Sequence, residues 1–412
     1  MHTEPQYRVL LPVADLDELR LLLPVAGALA LDRQGQLVVV HIVAVPEDRS
    51  LSEATAEASR SRQAIDSFLA TNGYTAVPVR TTVRVAREVW NGIWEAVEEE
   101  GADMLVLGWR GDGLTKSAVE QPMHERLTAP PCSVVVVRPD AAMAGAADWT
   151  TLRRILLPVR GGPHASLTLR VANALAELAA ADVTLLHVTG QAPRDAEEQL
   201  FAAFGPAVRG LKQLSRAVTT VGDVTRAIVE EAAAHQAVVM GAPARRVGPD
   251  GWSGPVLEAV AAECDKTLIV VKERLPATPA EAEEDALKWP DRPIAVVVDK
   301  WFAENTFRSA EFADLERLVM LKEAQGLTIS LGLPALNEEE TVGNVIRTIQ
   351  QALLEEVPLL DEIVLIDSDS TDATREIAAD LGVPVYIHQQ ILPRYGAYQG
   401  KGEALWLSLI HI

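Results

Sequence analysis

Basic residues, cysteine and aromatic residues are all scarce in this chain. Lysine and arginine number 37 against 58 aspartates and glutamates, a formal charge of −21 at pH 7. That balance repels a phosphate backbone, and no Lys/Arg-rich stripe with interleaved aromatics offsets it locally, so nucleic acid is not an expected partner. The two cysteines, Cys132 and Cys264, lie far apart with no second Cys or His at ligand spacing. This speaks against a zinc site and fits a reducing compartment. No run of eighteen apolar residues occurs, and the opening MHTEPQYRVLLPV has no basic stretch leading into an apolar one. The expectation is a soluble, cytoplasmic protein with neither membrane nor nucleic acid as partner. What is abundant is aliphatic residue: 48% of 412 positions are hydrophobic, too many for one core and enough for about three domains.

An internal repeat organises the first two of these. RVLLPV at 8–13 matches RILLPV at 154–159, and QLVVVHIVAV at 36–45 matches DVTLLHVTGQ at 182–191, both at an offset of 146. Further on, ADMLVLG ending at Gly108 matches QAVVMG ending at Gly241, and SVVVVRP at 133–139 matches TLIVVKE at 267–273. These short Val/Ile/Leu runs do not alternate with polar residues, as strands covered on both faces require. Between them, stretches such as ELRLLLPVAGALAL and SLTLRVANALAELAAA repeat apolar residues at three and four, the helical spacing. Strand–helix alternation with short connections predicts α/β units with doubly wound parallel sheets.

On these residues the first two thirds resemble the universal stress protein domain, in tandem over 1–140 and 150–274. The family's nucleotide-binding members carry Gly-x2-Gly-x9-Gly-Ser/Thr after the fourth strand, where bare amides and a hydroxyl cradle phosphates at a helix start. Gly108 and Gly111 fit in the first copy, but Gln121-Pro122 stands at the Gly-Ser position. Gly241 and Gly254 fit in the second, with Ala244 for a glycine and Pro255 for the hydroxyl residue. The family's acidic residue after the first strand aligns with Ala14 and Arg160. Proline offers neither N–H nor hydroxyl, so each copy has lost phosphate donors. Two readings stay open: an ATP-sensing pair, with a residual anion site at Arg160, Gly161 and Gly162, or degenerate scaffolds for dimerisation or regulation. His41 and His187 occupy equivalent strand ends, where packing or a hydrogen bond is the ordinary role.

Residues 275–325 read as a joint. Pro276, Pro279, Pro290, Pro293 and an acidic cluster form a linker. After it Trp301, Phe302, Phe307, Phe312, Leu315 and Leu318 take spacings compatible with one helical face, expected to dock on the third unit.

That unit, 326–412, opens with a strand expected to be buried, passes through Pro334-Ala335-Leu336-Asn337-Glu338-Glu339 and enters a helix near Thr341. A second strand, EIVLID, brings Asp367 to the same carboxyl edge, where ligands bind in open α/β sheets. Ser370, Thr371 and Asp372 supply capping oxygens for the next helix, and Lys401 stands between Gly400 and Gly402 on a turn suited to a phosphate. Taken in order, PALNEE, DSDSTD and GKGEALW resemble the nucleotide half of a GT-A glycosyltransferase, specifically the glucosyl-3-phosphoglycerate synthase family, over roughly 294–409. The resemblance implies glucosyl transfer from UDP-glucose to 3-phosphoglycerate with retention and Mg2+. It implies that Pro334, Ala335, Leu336, Asn337 and Glu338 line the uridine pocket, that Ser368 meets the uracil and that Lys401 meets the diphosphate. In that fold the metal triplet follows a later strand, so Asp367-Ser368-Asp369 is expected to serve base recognition and helix capping, with the metal ligands beyond residue 412. As it stands the chain is expected to hold part of a sugar nucleotide rather than transfer glucose. A non-catalytic stress protein is the alternative, and a homodimer is expected in either case.

Overall fold

The aliphatic runs do become strands buried on both sides. The computed structural model describes residues 7–72, 76–109, 127, 130–159, 164–189, 214–243, 254–274 and 294–391. These fall into two units, one ending at Phe307 and one beginning at Arg308.

In the first unit the first copy runs β1 Arg8–Pro12, α1 Leu16–Asp32, β2 Gln36–Ala44, α2 Thr55–Thr71, β3 Val79–Ala86, α3 Val89–Glu99, β4 Met104–Gly108 and β5 Ser133–Arg138. A short helix, α4 Ala141–Ala146, leads to the second copy: β6 Arg154–Val159, α5 Ala165–Ala179, β7 Asp182–Thr189, β8 Leu214–Val221, α6 Val224–Ala232, β9 Ala237–Gly241, α7 Gly254–Glu263 and β10 Thr267–Lys272. The strands form one ten-stranded sheet in the order β3-β2-β1-β4-β5-β10-β9-β6-β7-β8. Each copy is parallel inside, as the alternation predicts. The copies meet where β5 runs antiparallel to β10, with Val135 opposite Val271 and Val137 opposite Ile269. Both faces of the sheet are covered, and each face's core draws on both copies, Val9 with Ile155 on one side and Leu10 with Leu156 on the other.

The joint departs from expectation. Its helix, α8 Ile294–Asn305, docks backwards onto the first stress copy, the reverse of the expected direction. The Asp299 carboxylate accepts hydrogen bonds from Ser50 Oγ (2.7 Å) and the Leu51 amide (2.7 Å), while Glu304 Oε1 accepts the Val85 amide of the edge strand β3 (2.8 Å). Lys300 pairs with Glu95, and Ala303 is fully buried. The predicted common apolar face does not form either. The helix ends at Asn305, Phe307 lies under the Arg62 guanidinium at 4.2 Å, and Trp301 and Phe302 stay exposed.

The second unit contains α9 Leu315–Gln325, β11 Ser330–Ala335, α10 Val342–Gln350, β12 Glu362–Asp367, α11 Thr374–Asp380, β13 Val385–Ile387 and α12 His388–Ile391. Its sheet is parallel in the order β11-β12-β13. The buried strand is β12, with Val364, Leu365 and Ile366 at zero exposure. The opening strand β11 is an edge and half-exposed through Leu333, since it pairs on one side alone among the described residues.

Candidate functional site

The glycine positions of the two stress copies lie at equivalent strand ends, each beside a side chain at the start of that copy's first helix. Gly108 ends β4, and a methyl added there would meet Glu18 Oε1 at 2.4 Å. Glu18 is held in place by the start of α1: Asp15 accepts its amide (2.8 Å), and its own Oε2 accepts the Ala14 amide (2.7 Å). A carboxylate thus occupies the amide cradle after β1. In the second copy Gly241 ends β9 beside Thr168 Oγ1 and His164 Cβ, and His164 stands 146 positions after Glu18. His164 is buried, its Nδ1 accepts the Glu273 amide (3.1 Å), and burial pushes its pKa down. Gly254 opens α7 with φ +68°, a conformation that favours glycine. Gly111, Arg160, Gly161 and Gly162 lie outside the described residues. His41 and His187 each donate from Nδ1 to the carbonyl of an equivalent residue, Val13 (2.9 Å) and Val159 (3.0 Å).

In the second unit the carboxyl edge of the sheet is formed by two loops bonded to each other. Asn337, at φ +56°, turns its backbone so that its amide donates to Ser370 Oγ (2.9 Å), while its own Oδ1 accepts the Thr371 amide (2.9 Å). The Glu338 amide donates to Thr374 Oγ1 (2.8 Å), the Glu339 amide to Asp372 Oδ2 (3.1 Å), and Glu339 Oε2 accepts the Ala373 amide (3.0 Å). The PALNEE and DSDSTD segments, far apart in the sequence, therefore form one rigid rim. Pro334 and Ala335 end β11 beneath it, Leu336 is half-exposed, and the Ser368 amide donates to Ala335 O (2.8 Å). Lys401 lies outside the described residues. Of the capping oxygens expected for α11, Asp372 takes the Thr374 amide (3.1 Å), whereas Ser370 and Thr371 serve the neighbouring loop.

Asp367 is the most constrained group at this edge. It is fully buried, and its Oδ2 accepts the amides of Asp369 (3.1 Å) and Ser370 (3.0 Å) and the Nε–H of Arg375 (2.6 Å). Arg375 also reaches Asp369 Oδ1 (3.0 Å) and Ser370 O (2.8 Å), and the bond to Asp367 raises its pKa further. The other Asp367 oxygen, Oδ1, is buried without a partner, an arrangement that costs stability unless something is received there. Sequence reasoning named Glu339 without a role and gave none to Thr374 or Arg375. The signal for Arg375 was present, since an arginine in the first turn of a helix can reach back to an acidic triplet just before it.

The same arrangement bears on metal binding. Asp367 and Asp369 share one guanidinium, and among the described residues no three His, Cys, Asp or Glu side chains gather as ligands. These carboxylates do not fit a divalent ion.

Two Rossmann-like α/β copies joined edge to edge define the class of this protein. The universal stress protein family model matches residues 7–138 and 151–272, and the chain belongs to that family. The glycosyl transferase family 2 model matches residues 330–396. The C-terminal part is similar to the glucosyl-3-phosphoglycerate synthase of Petrotoga mobilis, 48% identical over 106 residues, which are 26% of this chain and 33% of the relative. It is also similar to that of Mycolicibacterium smegmatis, 40% identical over 112 residues, 27% of this chain and 34% of the relative. A solved structure of glucosyl-3-phosphoglycerate synthase from Mycobacterium tuberculosis, in complex with Mn2+, UDP and glucosyl-3-phosphoglycerate, is 42% identical. It covers 24% of this chain and 33% of that one, with a TM-score of 0.21. The chain thus spans about a third of the length of the curated relatives it matches. Among the described residues no helix is long and apolar enough to cross a membrane.

Proposed function

We propose that the second unit binds the donor of a glucosyl-3-phosphoglycerate synthase-type transferase, UDP-glucose, at the carboxyl edge of β11 and β12, with the tandem stress pair as its regulatory partner. The observation that supports this most is the unpartnered Oδ1 of Asp367 beneath a rim bonded in place on both sides. A carboxylate oxygen is suited to accept the N3–H of uracil, where adenine presents the acceptor N1 and keeps its donor on the exocyclic amino group. Pro334 to Glu338 and Ser368 line the base and ribose side in this reading, and Lys401 meets the diphosphate. The acceptor is 3-phosphoglycerate, and the divalent ion of the reaction is taken by residues other than Asp367 and Asp369. A cytoplasmic homodimer completes the proposal.

For the first stress copy the Glu18 carboxylate beside Gly108 favours a scaffold over an ATP site, because a phosphate there meets like charge. For the second copy, ATP at Arg160 to Gly162 and Gly241 is the remaining nucleotide reading.

Calorimetric titration of the full chain tests the donor assignment. UDP-glucose and UDP are expected to bind with Mg2+ present, ADP-glucose to bind at least tenfold more weakly, and Lys401→Ala to weaken UDP-glucose. Equal heats for UDP-glucose and ADP-glucose, or none for either, would remove the assignment.

A further inference from the structure

Helix α8 is amphipathic in the reverse of the usual sense. Its charged residues, Asp299, Lys300 and Glu304, face the first stress copy, where each meets a partner. Five of its apolar residues face outward: Ile294 is 82% exposed, Val297 51%, Val298 57%, Trp301 62% and Phe302 52%, while Ala303 is buried with the charges. Positions 294, 297, 298 and 301 follow the i, i+3, i+4, i+7 spacing of a single stripe. A helix docked by its charges with such a stripe turned to water has its covering surface still to come.

We infer that the stripe is covered by the same stripe of a second copy of this chain. This inference rests on the homodimer proposed above and assigns its interface. Area supports a second copy. Five side chains at these exposures amount to roughly 600 Å2, at the top of the range for the largest patch on a monomer and close to the ~800 Å2 each partner gives a standard interface. The stripe itself adds no like-charge contact to the repulsion between two copies of net charge −21, because it carries no ionisable side chain. Strands β5 and β10 are consumed by each other. Of the two edges of the sheet, β8 lies at the far end, and β3, beside α8, gives its Val85 amide to Glu304.

Geometry makes the pairing self-complementary. Ile294, Val298 and Phe302 form one ridge at spacing four, and Val297 and Trp301 form a second. Two such helices pack ridge into groove at a crossing of about −50°. An isologous contact of this kind closes at two copies, with Val298 near the axis.

Sedimentation equilibrium of the full chain tests this. The wild type is expected at twice the 44.5 kDa chain mass. Val298→Glu and Trp301→Glu are each expected to weaken the dimer at least tenfold with an unchanged circular dichroism spectrum, since both side chains face solvent. Val298→Leu should stay dimeric. Val298→Cys should form a cross-linked dimer on mild oxidation, with the native cysteines buried and out of reach. A monomeric wild type would overturn both the homodimer and its interface. A dimer that survives both glutamates, with no cross-link through Val298→Cys, would keep the homodimer and overturn the stripe as its interface.

Discussion

Arg138 and Lys272 occupy equivalent ends of β5 and β10, and the structure treats their charges differently. Arg138 donates to the carbonyls of Cys264 (2.6 Å) and Lys266 (3.2 Å) and to that of Ala261, closing the end of α7. Lys272 is 4% exposed, and burial alone lowers its pKa from 10.5 to about 8. The unfolded chain therefore holds a proton between those two values that the folded chain has released. Stability rises with pH wherever the unfolded state binds more protons, so the cost of Lys272 is complete below about pH 8 and is relieved up to about pH 10.5. Lys272→Met should stabilise the protein at pH 7 by at most about 3 kcal/mol and flatten the alkaline rise, as urea unfolding across this range would read. Asp367→Asn is expected to act in the opposite direction. It removes the charge facing Arg375 from a fully buried position, costing about 2 kcal/mol of local stability and speeding hydrogen exchange in β12. Unchanged exchange there would contradict the role given to the pair. The equivalence of His41 and His187 was legible because the repeat placed them identically, and of packing or a hydrogen bond the structure shows the bond in both. The place of Asp367 at the carboxyl edge of β12 was legible, but its unshared oxygen was not, since that depends on where Arg375 reaches in three dimensions.

At the level of elements, periodicity located the eight inner strands of the large sheet but not its edge strands β3 and β8, because covered β runs and helices differ in spacing whatever they pack on. It failed at α8 for a physical reason. A stripe of apolar residues shows that a helix has two faces, but not which face is docked when the other carries charges with partners waiting. Here Lys300 and Glu95, about nine-tenths buried as side chains, hold the charged face down. Lys300→Met removes the ammonium shared by Glu95 and Glu304, an expected loss of about 3 kcal/mol from the docking. Limited proteolysis reads this directly. The resistant fragment should extend past Asn305 in the wild type and retreat toward Arg274 in the variant, while cleavage near 275 in both would show that α8 is not held. Close helix–sheet packing supplies a second test. A methyl at Gly92 of α3 would lie 2.8 Å from Ile42 Cγ2 and 3.0 Å from Ala86 Cβ. Gly92→Ala should therefore cost about 1–3 kcal/mol in thermal unfolding.

For the whole molecule, the repeat revealed two copies but not their junction, since SVVVVR and TLIVVK read alike whether they pair with each other or with strands elsewhere. Their antiparallel pairing makes the sheet continuous from β3 to β8. The consequence is thermodynamic. Val135 and Val271 belong to the same core as Val9 and Ile155, and Val136 and Val270 to the same core as Leu10 and Leu156. Unfolding one copy strips one side of the other copy's edge strand and opens both of its cores to water. The cost of that intermediate is the apolar area of a sheet edge and two core margins, at about 25 cal/mol per Å2, which is large against the few kcal/mol that keep a domain folded. The tandem pair should therefore unfold in one calorimetric transition of about 180 kcal/mol, the enthalpy expected for roughly 250 residues near 60 °C, with the van't Hoff value equal to it. Val135→Asp, which places a carboxylate in the junction, should lower that single midpoint without splitting it. Two transitions of about half the enthalpy each would show that the copies are independent domains lying side by side.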